Sequence, residues 1–370
     1  MSGLRVIVAA GGTGGHLYPA ISLAQAIKQF DPQADFLFIG AGRPLEAALL
    51  EPAGFKSVAL KSSGLKGVRP AGQIKALWQC LCSTGQAARL IKKFHPNFCF
   101  GAGGYVTVPV GLAAALTGTP LVIHEQNSKP GLSNRVLGRL AKLVLLGYEE
   151  AASSFPAGKI LVTGNPVRPE IAELHGRKRE YDHSPLTIGV TGGSQGAAKL
   201  NKAVAPALVN LYQSGLPIRV IHQTGEADFN WVSELYHKIG LSAEVSSFIQ
   251  DMADFYERSD LIISRAGALT SAELTAAGRP AVLVPLPTAA DDHQTINARH
   301  LESAGAALIQ PQKYLGPETL AAALRCLIND RDRLKAMSEA SGRLARLGAD
   351  ETMARACLKL IDRATAPERG

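Results

Sequence analysis

Cysteine is scarce and unpaired in this sequence. Cys80, Cys82, Cys99, Cys326 and Cys357 make an odd number, and no two of them form a C-x-x-C pair. That spacing argues against a disulfide framework or a zinc knuckle. It fits a reducing compartment, with the thiols acting as small buried side chains. Charge is also sparse, at 19% of residues against 46% apolar, a balance that suits a folded α/β protein and not a disordered chain. Acidic residues are the scarcer sign: 31 against 39 basic leave a net charge of +8. Such a balance fits phosphate-bearing ligands, an anionic membrane surface or a nucleic acid, and does not choose among them. No signal peptide is expected, because the apolar run "VIVAA" is too short and runs into glycines. Short-period repeats and low-complexity tracts are missing as well.

One stretch lacks charge altogether. From Phe98 to Ile123 no residue is ionised, which is long enough to span a bilayer. The stretch is broken by "GAGGY", Pro109, Gly118 and Pro120. It therefore reads as strand "NFCF", a glycine turn, helix "VPVGLAAALTG" and strand "PLVIH", as in a parallel sheet buried on both faces.

What is present is alternation. "RVIVAA" leads to helix "YPAISLAQAIKQF", strand "DFLFIG" and helix "PLEAALLEPAG". After Pro185 the pattern resumes with "LTIGVT", helix "AAKLNKAVAPALVNLYQS" and strand "IRVIHQT". Then come "AEVSSFI", helix "DMADFYERS", strand "DLIISR", helix "ALTSAELTAAG" and strand "PAVLVPL". Strand–helix alternation predicts crossovers and parallel sheets, and 370 residues suffice for two such domains. The proline- and charge-rich stretch Gly164–Pro185 reads as the linker between them.

Each half opens with a strand followed by a glycine turn: "GGTGGH", Gly11–His16, and "GGSQGA", Gly192–Ala197. Glycines between a strand and a helix let backbone N–H groups approach an anion, and the helix dipole favours negative charge there. Ligands of open parallel sheets bind beyond the carboxyl ends of the strands, so two facing domains of this kind would form a cleft lined by both turns. Neither turn is a common nucleotide signature. Leu17 stands where G-x-G-x-x-G needs its third glycine, and no acidic residue ends "DFLFIG" to hold a ribose. In "GGSQGAAK", Ala198 and not glycine precedes Lys199, so the turn is no P-loop.

Three polar groups stand out. His16 ends the first turn and is either a general base near neutral pH or a brace for the turn. Glu273 follows the small-residue run "SRAGALTSA" and is either an acceptor for ribose hydroxyls or a solvated helix glutamate. The loop "DDHQ", Asp291–Gln294, is either a weak metal set or a sugar-binding loop. Two segments of the first half bear on membranes. Ile74, Leu77, Trp78 and Leu81 recur at helical spacing near Lys66, Arg69 and Lys75, and Arg135, Arg139 and Lys142 form a basic face. These are core packing and a solvated face, or together an interfacial patch.

The ordered set "GGTGGHLYPA", "GAGGYVTVP", "HEQNSKPGLSNR", "GNPVR", "GGSQGA", "SRAGALTSAE" and "PTAADDHQTINAR" resembles the MurG family over nearly the whole chain. These are the family 28 glycosyltransferases that carry N-acetylglucosamine from UDP-N-acetylglucosamine to the 4-hydroxyl of undecaprenyl-pyrophosphoryl-N-acetylmuramoyl-pentapeptide (lipid I). The resemblance implies a GT-B fold, two Rossmann-like domains facing across a cleft. An acceptor and membrane domain would span residues 1–165, a donor domain 166–345, and a last helix in 346–370 would return to the first. It implies an inverting enzyme of peptidoglycan synthesis, peripheral on the cytoplasmic face of the inner membrane. Its partners would be UDP-N-acetylglucosamine, lipid I, an anionic membrane surface and other cell-wall enzymes, with no nucleic acid, cofactor or metal.

Residue by residue, the resemblance gives His16 the catalytic place. It gives donor binding to Thr13, Gly14, Gly15, Asn127, Arg168, Ser194, Ile249, Ala268, Leu269, Thr270, Ser271, Ala272, Glu273 and Gln294. Ile249 would meet uracil, Glu273 the ribose, Ser194 and Arg168 the diphosphate, and Gln294 and Asn127 the sugar. Gly11, Gly12, Gly14, Gly15, Gly103, Gly104 and Tyr105 would face the acceptor pyrophosphate. A nucleotide-sugar epimerase of the same fold and a non-catalytic half of a membrane complex are the rival readings.

Overall fold

A computed structural model describes residues 3–60, 70–193, 196–288 and 292–365. The chain divides into two compact units, residues 1–166 with 348–370, and residues 167–347.

The first unit begins with β1 (Arg5–Ala10), α1 (Gly14–Phe30), β2 (Asp35–Gly40), α2 (Pro44–Leu50) and β3 (Lys56–Ala59). It continues with α3 (Pro70–Phe94), β4 (Phe98–Gly103), α4 (Thr107–Thr117), β5 (Leu121–Glu125), α5 (Leu132–Leu140), β6 (Leu143–Leu146) and β7 (Ile160–Val162). Its strands form one sheet in the order β3-β2-β1-β4-β5-β6-β7, every pair parallel. The charge-free stretch is β4, α4 and β5. Its strands are fully buried because helices cover both faces of a parallel sheet.

The second unit contains α6 (Pro169–Ala172), β8 (Leu186–Thr191), α7 (Ala198–Gln213), β9 (Ile218–Gln223), α8 (Phe229–Lys238) and β10 (Ala243–Ser246). It goes on with α9 (Met252–Arg258), β11 (Leu261–Ser264), α10 (Ala268–Ala276), β12 (Ala281–Leu283), α11 (His293–Ser303), β13 (Ala307–Ile309), α12 (Pro317–Asn329) and α13 (Arg331–Arg343). Its sheet runs β10-β9-β8-β11-β12-β13, again parallel.

Both orders reverse direction once: at β1 and β4 in the first sheet, and at β8 and β11 in the second. The crossovers from those strands leave toward opposite sides, which opens a crevice beyond their carboxyl ends. All four strands at these two points run into small-residue turns. They begin at Gly11, Gly103, Gly192 and Arg265.

The last helix, α14 (Ala349–Thr365), packs on α1. Its Met353, Ala354 and Cys357 are buried in the same cluster as Leu17, Leu23 and Ile27. Each large side chain buried there contributes on the order of 1.5–3 kcal/mol.

The division between the two units falls within the stretch Gly164–Pro185, after Pro166, but the rest of the stretch is not an open linker. Ile171 and Leu174 are buried in one core cluster of the second unit, and Tyr181 in another. Arg179 donates to Asp260 Oδ1 from Nε (2.9 Å) and Nη2 (2.6 Å), and His183 Nε2 lies 3.1 Å from Oδ2 of the same fully buried carboxylate. Charge and proline dominate the composition of this stretch, but three apolar anchors at wide spacing hold it down.

Candidate functional site

In the first unit the two glycine turns touch. Gly103 and Gly104 have φ of +105° and +84°, a region that L side chains rarely adopt. A Cβ on Gly103 would lie 2.7 Å from His16 Nδ1, and one on Gly104 would lie 2.6 Å from the Gly11 carbonyl oxygen. The imidazole of His16, in the first turn of α1, is therefore laid against the backbone after β4, with Nδ1 buried. Thr13 caps α1 in extended geometry without a side-chain hydrogen bond, and no acidic residue occupies the first turn. No acidic side chain of α1 itself offsets the helix dipole there. Tyr105 is half exposed beside this surface.

Two buried carboxylates shape the surrounding loops. Glu125 ends β5 and accepts from the backbone N–H groups of Asn127 (3.0 Å) and Gly131 (3.1 Å). It also accepts from the side-chain amides of Asn127 (3.2 Å) and Asn134 (2.9 Å). Burial pushes its carboxyl up, against the lowering effect of those four donors. Asn127 is thus oriented by Glu125. Glu46, in α2, accepts four backbone N–H groups, including that of Gly12. Neither role was anticipated from the sequence. The partners are backbone groups of loops that only the topology brings together. The one local signal is Glu46 at the third position of a helix, where it also closes a capping box.

His124, next to Glu125, is fully buried, and burial holds its imidazole down to about 3. Gln126 Nε2 donates to its Nδ1 at 3.2 Å and to the Ala102 carbonyl at 2.7 Å, which ties β5 to the turn after β4.

In the second unit Glu273 and Arg168 are an ion pair. Arg168 Nε (2.9 Å) and Nη2 (2.7 Å) both donate to Glu273 Oε1, and Tyr256 Oη donates to Oε2 at 3.2 Å. The solvated-helix expectation for Glu273 is overturned, since the residue is only 8% exposed. Burial and the Glu273 charge keep the Tyr256 phenol protonated, its pKa far above the ordinary value, so it remains a donor. A carboxylate oxygen accepts about two hydrogen bonds. Oε1 is filled by Arg168, while Oε2 keeps room for one more donor.

Around this pair, Ala268, Leu269, Thr270, Ser271 and Ala272 form the first turns of α10, which has no acidic residue in its first turn and has Gly267 as its N-cap. Ile249 lies half-buried in the loop between β10 and α9. Gln294 in α11 accepts from the Leu286 N–H at 2.9 Å through its carbonyl oxygen. Ser194 lies outside the described residues, as does Asp291. Asp292 Oδ1 accepts from Thr295 Oγ1 at the start of α11, and among the described residues no group of three or more His, Cys, Asp or Glu could hold a metal ion.

Gly196, just before α7, is braced from below. A Cβ on Gly196, at φ +71°, would lie 2.4 Å from the Thr224 carbonyl oxygen, and that carbonyl accepts from Asn201 Nδ2 at 2.8 Å. Asn201 Oδ1 meets His222 Nε2 at 3.2 Å, and His222 Nδ1 meets Tyr236 Oη at 3.0 Å. Asp228 accepts from Asn201 (2.7 Å) and from Trp231 Nε1 (2.8 Å).

The glycosyltransferase family 28 N-terminal domain model matches residues 6–146, and the C-terminal domain model matches residues 187–354. The chain is 42% identical to a protein of Methylococcus capsulatus over 96% of this chain and 98% of that one. It is 41% identical to one of Desulfotalea psychrophila over 97% of each. Both relatives are named UDP-N-acetylglucosamine–N-acetylmuramyl-(pentapeptide) pyrophosphoryl-undecaprenol N-acetylglucosamine transferase. The crystal structure of Acinetobacter baumannii MurG superposes with a TM-score of 0.78 at 35% identity, covering 97% of this chain and 99% of that one. The chain belongs to the MurG family. The two-domain parallel-sheet architecture expected for a MurG-like GT-B protein is the architecture observed.

On the membrane-facing candidates, Leu77, Trp78 and Leu81 of α3 are exposed by 56, 69 and 56%. Core packing is therefore excluded for these three. The side chains of Ile74 and Lys75 lie outside the described residues. Arg135, Arg139 and Lys142 are exposed. The sequence reading missed a second apolar row: Leu132, Val136 and Leu140, spaced by four on α5, are also exposed, as is Leu116 on α4. α4 packs against both α3 and α5.

Proposed function

We propose that this chain transfers N-acetylglucosamine from UDP-N-acetylglucosamine to the 4-hydroxyl of undecaprenyl-pyrophosphoryl-N-acetylmuramoyl-pentapeptide, with inversion, releasing UDP. The observation that carries this reading is identity above 40% along the full chain to proteins named for that transfer. The chemistry is a single displacement: the acceptor oxygen bonds to the anomeric carbon as the bond to the UDP oxygen breaks on the opposite face. His16 takes the hydroxyl proton. The α7 N-terminus and Arg168 meet the charge developing on the leaving diphosphate. Glu273 Oε2 accepts a ribose hydroxyl, and the first unit's glycine turns receive the acceptor pyrophosphate. Incubating the purified chain with radiolabelled UDP-N-acetylglucosamine and the lipid-linked muramoyl acceptor is expected to move label into the lipid phase. Donor conversion without acceptor would favour an epimerase instead.

Glu273→Ala removes the ribose acceptor and leaves Arg168 and Tyr256 facing each other without their shared carboxylate. Donor affinity is expected to fall by about 1.5–3 kcal/mol, the value of hydrogen bonds to a charged group, with acceptor affinity unchanged. Calorimetry with UDP that gives a wild-type constant would remove Glu273 from the donor site.

The acceptor is lipid-linked, and among the described residues no helix is long and apolar enough to cross a membrane. The exposed apolar rows of α3 and α5, with Arg135, Arg139 and Lys142, supply a peripheral contact in this reading. Basic residues near an anionic surface are worth about 1 kcal/mol each. Changing these three to Gln is therefore expected to weaken binding to anionic vesicles on the order of 100-fold at low salt, with UDP affinity intact. Co-sedimentation indifferent to both salt and the triple change would refute the basic face.

A further inference from the structure

Glu46 is only 4% exposed, and the ligands of its carboxylate are four backbone N–H groups. Oε1 accepts from Gly12 (3.2 Å) and Ala41 (3.1 Å), and Oε2 from Gly42 (2.8 Å) and Arg43 (3.2 Å). These donors come from the turns after β1 and β2, neighbouring strands of the sheet. The space for the carboxylate is left by Gly40, where a Cβ would lie 2.3 Å from Oε2. Arg43 completes the arrangement from the rim. Its Nη1 donates to the Gly12 carbonyl at 3.2 Å, and its side chain is exposed. Gly12, at φ +96°, is thus held by its N–H on one side and its carbonyl on the other.

We propose that Glu46 and Arg43 are positioning residues for the first glycine turn. They clamp Gly12 and withhold its N–H from any ligand, so the donors that this turn leaves open to an acceptor pyrophosphate are those at the start of α1, near Gly14 and Gly15. This rests on the transferase reading above, and it narrows the acceptor set by taking the Gly12 N–H out of it. The reason is electrostatic as well as steric. A buried anion that already occupies the Gly12 N–H does the work there that a phosphate would otherwise do. By bonding Gly12 and three amides of the loop after β2 together, it keeps the turn in its ligand-ready shape before the acceptor arrives. The α1 amides then meet a phosphate oxygen without paying again for ordering the loop. His16 rides on the same first turn, so the clamp also fixes the ring that the reaction needs.

Glu46→Gln preserves shape but turns an NH2 toward two N–H groups. The expected result is an acceptor KM raised about 10-fold or more, from the loss of hydrogen bonds to a charged acceptor, with donor KM within about two-fold of wild type. Amide hydrogen exchange at Gly12–His16 should accelerate while that of β8 and α7 stays unchanged. Arg43→Gln, on the exposed rim, should shift acceptor KM and exchange in the same direction by a smaller factor, and it serves as the deciding variant if Glu46→Gln does not fold. Unchanged acceptor KM in a folded variant, or equal changes in donor and acceptor KM, would overturn the clamp. Failure of the wild-type protein to label lipid would instead refute the transferase reading. The exchange comparison at Gly12 tests the clamp even then.

Discussion

Replacing His16 by alanine is expected to lower kcat by roughly two to four decades, the usual worth of a positioned general base, with UDP affinity near wild type. The structure sharpens the reason. Nδ1 is buried against Gly103, so a proton taken from an acceptor hydroxyl goes to Nε2. The ring lies directly against the backbone of Gly103, whose positive φ leaves no room for a side chain there. His16 belongs to the unit that carries the Gly11–Gly15 turn, whereas Arg168, Glu273 and the α7 N-terminus belong to the other. That division is why chemistry and UDP binding should separate in this variant. A purified, folded His16→Ala protein with wild-type turnover would leave the histidine as a brace for the turn, in which case melting temperature and not rate would carry the effect.

The glycine turns were legible because a buried run, a glycine cluster and a helical period in succession have few structural solutions. Parallel strands then force both turns to the carboxyl ends of their sheets. What the sequence did not disclose are the partners. Glu273 reads as a helix glutamate until Arg168, distant in sequence, is folded onto it, and burial then makes the pair a unit. Glu46 offers no pattern beyond its place in the first turn of α2, because its ligands are amides, which every residue has. The stretch Gly164–Pro185 misled for the opposite reason. Its composition is that of a loop, while Ile171, Leu174 and Tyr181, too far apart for any period, pin it into two core clusters. On α5 the basic face was found by its charges. The apolar row Leu132, Val136 and Leu140 beside it went unread, since exposure of an amphipathic helix's apolar positions is a property of packing and not of sequence.

Mild acid is expected to destabilise both units, and the cause lies in two histidines outside the proposed chemistry. His124 in the first unit and His222 in the second are each held down to about 3 by burial. The hydrogen bonds explain why the neutral forms suit their sites. Gln126 donates to His124 Nδ1, while His222 donates from Nε2 to Asn201 and accepts from Tyr236 at Nδ1. In the unfolded chain both titrate near 6.5. Between pH 6.5 and 3 the unfolded state therefore binds more protons, so stability is full above about 6.5 and falls as pH drops through that window. At pH 5 the loss is about 1.5 pH units for each histidine, on the order of 2 kcal/mol for each unit. That is a sizeable part of the 5–15 kcal/mol typical of one folded domain. Urea unfolding at pH 8 and pH 5 measures it, and Trp231 reports the second unit directly through its hydrogen bond to Asp228 in the His222 network. His222→Gln keeps one donor and one acceptor but cannot take a proton. It should lower stability at pH 8 and flatten the acid slope of the second unit. Equal unfolding free energies at pH 8 and 5 in the wild-type protein, or an unaltered slope in that variant, would show that these imidazoles do not govern acid stability.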